Sequence, residues 1–119
     1  MAAKKLARSR IDPKLVSRLL RTVPQDKAFY FFTDIGQYSG KVAVSLADFC
    51  KTIDTVDVKS VDFHFKRQDF ERWITGTIGD INLANMLNRI KKSIQGEELR
   101  VEICRIVERR LTELERQLV

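Results

Sequence analysis

Residues 97–118 read EELRVEICRIVERRLTELERQL and contain neither glycine nor proline. Their apolar residues recur at intervals of three and four, a spacing that places them on one face of a helix. These residues are Leu99, Ile103, Ile106, Val107, Leu111, Leu114 and Leu118. Glutamates in the first turn and Arg116 near the end suit the helix dipole. The stretch therefore predicts a C-terminal helix of roughly 30 Å, at 1.5 Å per residue.

A second amphipathic helix is predicted upstream, between Asp80 and Gly96. Asp80 stands where an N-cap acceptor is needed, and glycine commonly follows the end of a helix. The apolar residues of this segment are spaced to share one face, and they are Leu83, Leu87, Ile90 and Ile94. We expect the C-terminal helix to pack along a body formed by residues 28–94.

Two shorter helices are predicted before this pair. Ser45 and Asp48 form a capping pair at the start of a helix over residues 46–53. Residues 57–66 are ambiguous, because their Val-Asp-Phe-His-Phe alternation also fits a strand. We prefer a helix for this segment.

The first helix is predicted to begin at Asp12 and Pro13, which supply an N-cap acceptor and a preset φ angle. Pro24 is expected to stop it. Its apolar stripe consists of Leu15, Val16, Leu19, Leu20 and Val23. The basic residues Lys14, Arg18 and Arg21 are spaced to share another face, which predicts a positive ridge.

Two β-prone runs, Ala-Phe-Tyr-Phe-Phe-Thr at 28–33 and Lys-Val-Ala-Val at 41–44, flank a segment rich in turn residues. Gly36, Ser39 and Gly40 allow the chain to reverse there, so we predict a two-stranded hairpin packed on helices. Aromatic residues of the first run can stack on bases in some proteins. Alternation along a strand puts at least half of these rings in the core, and we favour that role.

These patterns predict a mainly α fold, a compact helical domain with a small two-stranded β-hairpin and a long C-terminal helix. A chain of 119 residues is long enough to bury a core without metal ions or crosslinks. Residues 1–11 lack an apolar period and are predicted to form a basic flexible tail. Residues 12–119 are predicted to form a single domain.

The uneven charge is the main indication of function. Residues 1–30 hold eight Lys or Arg against two Asp, a net charge of +6, whereas residues 31–119 hold 14 of each sign. A basic segment of this kind is typical of proteins that contact nucleic acid phosphates. The residues predicted to make these contacts are Lys4, Lys5, Arg8, Arg10, Lys14, Arg18 and Arg21.

The first hypothesis is therefore a non-enzymatic binding module that contacts RNA or DNA without reading its bases, as a component of a ribonucleoprotein would. One alternative for the basic segment is a solvated face that only maintains solubility. Another is an anionic membrane surface, but Leu6 and Ile11 offer too few apolar anchors for that interpretation. We expect no membrane partner.

The densest group of polar and aromatic residues comprises Asp62, His64, Arg67, Asp69 and Trp73. A His with a carboxylate partner can serve acid–base catalysis, but no activated nucleophile, glycine-rich loop or metal-ligand spacing accompanies it. We therefore predict no catalytic residue, cofactor or metal, and we expect Asp69 to cap a helical turn. The alternative function is a protein–protein interaction adaptor whose surface contains His64, Arg67, Asp69 and Trp73, since Arg and aromatic residues dominate binding hot spots.

The C-terminal helix offers the adaptor hypothesis a second surface. Its stripe from Val107 to Leu118 can pair with a symmetric copy and form a homodimer. Packing within the chain explains the same stripe equally well.

Two cysteines, Cys50 and Cys104, each fall in an apolar helical pattern, with no second Cys or His at ligand spacing. We predict reduced core residues, and a redox pair is the less favoured alternative. The N-terminal residues carry charges without the apolar run of a secretory signal or a membrane span. We therefore expect a cytoplasmic protein.

One family resemblance is carried by Ser45-Leu-Ala-Asp-Phe49 and by Phe63-His-Phe-Lys-Arg-Gln-Asp-Phe-Glu-Arg-Trp73. The pattern resembles a small prokaryotic domain family of unknown function, prominent in archaea. In that family an aromatic strand, a Ser-Leu-x-x-Phe helix and a Phe-His-x-x-Arg-x-Asp-Phe-x-x-Trp turn recur. The match covers residues 28–94. It implies a compact module, alone or attached to enzymes, and no activity to carry over.

Overall fold

Six α-helices and one β-hairpin make up residues 10–118, the part of the chain that this computed structural model describes. In chain order the elements are α1 (Pro13–Leu19), β1 (Phe29–Asp34), β2 (Gln37–Ala43), α2 (Leu46–Thr55), α3 (Val58–Lys66), α4 (Asp69–Trp73), α5 (Ile81–Asn88) and α6 (Gly96–Arg116). A short 3-10 helix, Gln25–Lys27, precedes β1, and a π-helical turn, Ile74–Ile78, follows α4. The predicted fold class, mainly α with a small hairpin and a long C-terminal helix, is confirmed.

Helix α6 packs against α2, α3 and α5 and supplies much of the core. Its first turn is fixed to α3, because the Asp62 carboxylate accepts a hydrogen bond from the Gly96 N–H at 2.8 Å. Leu118, beyond the end of the helix, is exposed. Most of the predicted stripe is nevertheless buried within the chain, through Leu99, Ile103, Val107, Leu111 and Leu114.

Side-chain caps begin four of the helices. The side chains of Asp12, Ser45, Asp57 and Asp80 each accept a hydrogen bond from a backbone N–H two or three residues later, at 2.9–3.1 Å. Each such cap typically contributes about 1 kcal/mol. The cap at Asp57 begins α3, so the preferred helix at 57–66 is confirmed over the strand.

Two helices are shorter than their apolar patterns predicted. Helix α1 ends at Leu19, and the segment after it lets the Val23 N–H donate to the Val44 carbonyl at 2.8 Å. Helix α5 ends at Asn88, yet Ile90 is still buried from the loop that leads to α6. Apolar spacing therefore predicts most buried residues better than it predicts where helices end. It was wrong for Leu15, which belongs to the predicted stripe of α1 but is exposed.

The hairpin reverses in a tighter turn than predicted. Asp34 pairs with Gln37, so the turn holds two residues, of which Gly36 has a φ of +74°. Ser39 and Gly40, predicted as part of the reversal, lie inside β2, where the register shifts and leaves both opposite no residue of β1. Gly40 has a φ of +86°, as a bulged strand position permits for glycine. The predicted start of the second strand at residue 41 was therefore wrong by four residues.

A buried ion pair joins α6 to the start of α5. Asp80 is 2% exposed and Arg110 is 5% exposed. The Arg110 Nε and Nη2 atoms donate to the two Asp80 carboxylate oxygens at 2.8 and 3.0 Å. This two-point geometry, together with the N-cap bond to Leu83, leaves both Asp80 oxygens satisfied inside the core.

Candidate binding site

His64 lies at the C-terminal end of α3 with its ring buried, and both ring nitrogens have hydrogen-bond partners. Nε2 accepts a hydrogen bond from the Phe32 N–H at 2.8 Å, and Nδ1 lies 2.8 Å from Asp69 Oδ2. Because a backbone N–H can only donate, Nε2 carries no proton, and Nδ1 must donate to the carboxylate. Burial lowers the pKa of His64, against the opposing effect of Asp69. The ring is therefore a neutral tautomer fixed between β1 and α4.

Asp69 does not cap α4 as predicted. The N-cap position belongs to Gln68, which has a left-handed φ of 60°, and Asp69 is the first residue of the helix. Its carboxylate instead accepts hydrogen bonds from three side chains, those of His64, Arg67 and Arg72. Burial works to raise the pKa of Asp69, but these hydrogen bonds outweigh it and lower the pKa. We call these four residues the His64 network.

An open cleft of about 460 Å³ lies beside this network. Residues of β1 and of the hairpin turn line it, together with residues of α3 and α4. We call it the aromatic cleft. Its lining combines the apolar and aromatic side chains of Phe29, Tyr30, Phe32, Ile35, Phe63 and Trp73 with the polar side chains of Asp34, His64, Arg67 and Asp69. A concave, mainly apolar surface with a few placed polar groups is the usual form of a binding site.

Arg67 holds a fixed position at this cleft. Its Nε donates to Asp69 Oδ2 at 3.0 Å, and its guanidinium carbon lies 4.9 Å from the centre of the Phe63 ring. About half of the Arg67 side chain is still exposed (51%). The bond to Asp69 and the cation–π contact orient the guanidinium, and the bond to Asp69 uses only its Nε.

Exposed rings extend the cleft across the outer face of the hairpin. Tyr38 lies 5.9 Å from Tyr30 and 5.4 Å from Phe32, measured between ring centres. Phe29 and Phe31 are buried, which confirms that at least half of the aromatic run enters the core. The other two rings of that run face outward beside a residue of β2, and strand alternation was the sequence signal for them.

The structure brings His64, Arg67, Asp69 and Trp73 together, as the adaptor hypothesis requires. Trp73 is largely buried, and its indole N–H donates to the Lys27 carbonyl at 2.8 Å, so only part of it is available to a ligand. Phe63 and Ile35 also line the aromatic cleft and were not among the predicted site residues. Phe63 stands four residues before Arg67, and this helical spacing was a sequence signal for their contact, whereas no local pattern joined Ile35 of the hairpin turn to the site.

The predicted phosphate contacts are divided between described and undescribed parts of the chain. Lys4, Lys5 and Arg8 lie outside the described residues, as does most of the predicted tail. Arg10, Lys14 and Arg18 are exposed.

Arg21 lies beyond the end of α1 and does not continue the predicted ridge. Its guanidinium donates to the carbonyls of Thr77 at 2.6 Å and Ile78 at 3.1 Å, and also to that of Arg18 at 2.6 Å. It closes the carbonyl end of the π-helical turn and has fewer donors left for a phosphate.

Cys50 and Cys104 are free thiols, half-buried against the core. Burial, with smaller effects from neighbouring acidic residues, raises the pKa of each thiol to about 11. Thiols with so high a pKa are poor nucleophiles at neutral pH, since the thiolate is the reactive form. Across residues 10–118 there is no group of three or more His, Cys, Asp or Glu arranged to hold a metal ion.

Within the same residues, no helix combines the length and the apolar content needed to cross a membrane. No protein-family model matches the chain, and neither a curated protein nor a solved structure matches it. The resemblance to the prokaryotic domain family accordingly stays a prediction.

Proposed function

We propose that this chain is a non-enzymatic protein interaction module whose aromatic cleft holds a segment of a partner protein. One observation carries the proposal: a cleft of about 460 Å³ joins the exposed ring of Tyr30 and the half-buried rings of Phe32 and Phe63 to an arginine that two contacts hold in place. Aromatic residues and Arg contribute most of the energy at protein interfaces, and a preoriented side chain loses little entropy on binding.

The state of the His64 network supports binding over catalysis. A general base needs a free lone pair, but the His64 lone pair already accepts the Phe32 N–H. The Asp69 carboxylate accepts from three side chains, and its proton affinity is lowered accordingly. Neither thiol is activated. The hydrogen bonds of His64 and Asp69 instead hold β1 against α3 and α4.

The hydrogen bond from the Phe32 N–H to His64 also limits how a partner can be recognised. A peptide that adds a strand to a sheet edge needs free backbone groups on that edge. The Phe32 N–H of β1 is already occupied by His64, so we assign recognition to side chains. The cleft suits an apolar or aromatic anchor on Tyr30 and Phe63, next to a carboxylate that reaches Arg67.

A selection from a displayed random peptide library, with the full chain as bait, tests this proposal. We expect enriched peptides to combine an aromatic or large aliphatic residue with a neighbouring Asp or Glu. Arg67→Gln should weaken their binding at least tenfold. The matched control is Lys66→Gln, which removes the same charge from the next residue, outside the cleft, and should leave affinity within twofold. An absence of enrichment, or equal losses in both variants, contradicts the proposal.

A second candidate function is nucleic acid binding, favoured by the charge distribution. All of the net charge of +6 falls in residues 1–30, and three of the predicted phosphate contacts there, Arg10, Lys14 and Arg18, are exposed. In this hypothesis the basic segment contacts phosphates of RNA or DNA without reading bases, within a ribonucleoprotein. Arg21 contributes less, because backbone carbonyls occupy its donors.

The test is a titration with mixed-sequence RNA and DNA at low and physiological salt, with the full chain and a chain that lacks residues 1–11. Each phosphate contact contributes about −0.9 to the slope of log K against log salt for duplex DNA. Replacing Lys14 and Arg18 with Gln should flatten the slope by about 2. As a control, Lys51 and Arg109 are replaced with Gln. This change removes the same amount of charge elsewhere and should leave the slope unchanged. Binding that ignores salt contradicts this candidate.

For location, we propose the cytoplasm, where two unpaired thiols of raised pKa stay reduced. Pairing of α6 with a second copy has less support than the aromatic cleft, because its apolar stripe is already buried within the chain.

A further inference from the structure

Glu71, on α4, is a buried carboxylate without a partner. The residue is 9% exposed, and within the described part of the chain neither Oε1 nor Oε2 has a hydrogen-bond partner. Burying a carboxylate without hydrogen bonds or a counter-charge is strongly unfavourable. A group of this kind in a folded protein calls for something that satisfies it.

Glu71 lines a second cleft, of about 520 Å³, between α4 with its π-helical turn and α5. Its other polar lining residues carry amide or hydroxyl groups, and they are Gln68, Thr75, Asn85 and Asn88. The Gln68 amide donates to the Asn88 Oδ1 at 3.3 Å, which links the two helices beside the carboxylate. We call this the Glu71 cleft. It shares no lining residue with the aromatic cleft.

The neighbouring arginine does not neutralise Glu71. Arg72 also lines the Glu71 cleft, but its Nη2 donates to Asp69 and to the Arg67 carbonyl. The π-helical turn that begins at Ile74 adds a backbone irregularity to the lining of the cleft, through Thr75 and Gly76, and such turns are frequent at functional sites. Among the described residues, therefore, no cation contacts the Glu71 carboxylate, whose oxygens are buried beside a cleft lined by amide and hydroxyl groups.

The donor set decides which cation fits. Calcium takes six to eight oxygen ligands and usually several carboxylates, and magnesium demands strict octahedral geometry. One carboxylate with amide and hydroxyl oxygens instead suits a cation that donates several hydrogen bonds. We infer that the Glu71 cleft binds an organic cation with N–H donors, a primary ammonium or guanidinium group, with Glu71 as its counter-charge.

The test is an NMR titration of the full ¹⁵N-labelled chain with n-butylammonium, methylguanidinium and the lysine side chain of N-acetyl-lysinamide, at constant ionic strength. We expect saturable shifts centred on Thr75, Gly76 and Asn85. Tetramethylammonium, which carries the same charge but no N–H donor, should produce none. Binding of the free amine identifies a small-molecule ligand class, and preference for the lysine derivative identifies a protein side chain; either result supports the site.

Variants assign the binding to the carboxylate. Glu71→Gln keeps the shape, removes the charge and should weaken binding at least tenfold, whereas Glu98→Gln, at an exposed position of α6, should have no effect. Asn85→Leu, at an exposed position on the cleft, serves as a second variant if Glu71→Gln does not fold. Equal affinity in wild type and both cleft variants, or saturation by Mg²⁺ or Ca²⁺ alone, overturns the inference.

Discussion

Asp69 and Glu71 stand two positions apart on the same short helix and have opposite surroundings. Asp69 accepts hydrogen bonds from three side chains, whereas neither oxygen of Glu71 has a partner among residues 10–118. Residues two apart on a helix point to nearly opposite sides, at about 100° per residue. One side of α4 thus ties α3 and β1 together, and the other side buries a carboxylate that has no partner among the described residues. Carboxylates with saturated partners stabilise the fold, and the unpartnered one indicates a site.

The largest expected effect comes from a third carboxylate, Asp80, which extends the saturated side of this comparison. Asp80→Ala leaves the Arg110 guanidinium buried and without its main partner, and it also removes the N-cap of α5. Breaking a buried pair in this way costs about 3–5 kcal/mol. Urea denaturation should show that loss in the free energy of unfolding.

The double variant Asp80→Ala with Arg110→Met distinguishes two contributions to this loss of stability: the loss of the ion pair itself, and the cost of leaving the Arg110 charge buried without a partner. Replacing both partners with apolar groups removes the buried cation, so much of the lost stability should return. A double variant as unstable as the sum of its single variants would show that Asp80 and Arg110 act independently.

The periodic part of these arrangements was predictable from sequence. The stripe of α6 follows from apolar spacing alone, and Arg110 falls three residues after Val107, on the buried face. That position was a readable sign of a buried cation. Its partner was not readable, because Asp80 lies thirty residues away and only the packing of α5 on α6 joins them.

Local rules failed where a side chain had two competing partners. Asp69 matched the composition of an N-cap, but spacing does not reveal whether a carboxylate meets backbone N–H groups or neighbouring side chains. Gln68, in a left-handed conformation, occupies the N-cap position instead, and the Asp69 carboxylate accepts hydrogen bonds from His64 and Arg67. The missing partner of Glu71 is likewise a property of the packed structure, and no pattern in the sequence signals it.

The next largest effect should come from Asp69 itself. Asp69→Ala leaves the His64 Nδ1–H buried without an acceptor, which costs about 2 kcal/mol in the free energy of unfolding. Arg72→Gln removes a partner of the same carboxylate, but its side chain is well exposed (63%), so the cost should be a few tenths of a kcal/mol. Comparable losses in both variants would contradict the assignment of Asp69 to the His64 bond.

The His64 network also predicts a pH dependence. Because the folded state lowers the pKa of His64 from 6.5, the unfolded chain binds more protons near pH 6, so stability should decrease as the pH falls below about 6.5. The lowered pKa of Asp69 adds stability above its ordinary value of 3.8, and that contribution is lost on further acidification. His64 is the only histidine in the chain. His64→Gln should therefore abolish the change between pH 7 and pH 5.5, and a persistent change would assign it to other groups.

The smallest expected effect has the opposite sign and belongs to Glu71. In sodium chloride without organic cations, Glu71→Gln should raise the free energy of unfolding by about 1 kcal/mol, because an unpartnered neutral amide is less costly to bury than a carboxylate. Adding n-butylammonium at 100 times its Kd should stabilise the wild type by about 2.7 kcal/mol and reverse the order of the two proteins. A Glu71→Gln variant that is less stable than wild type in sodium chloride would place Glu71 with Asp69 and Asp80, as a carboxylate that holds the fold together.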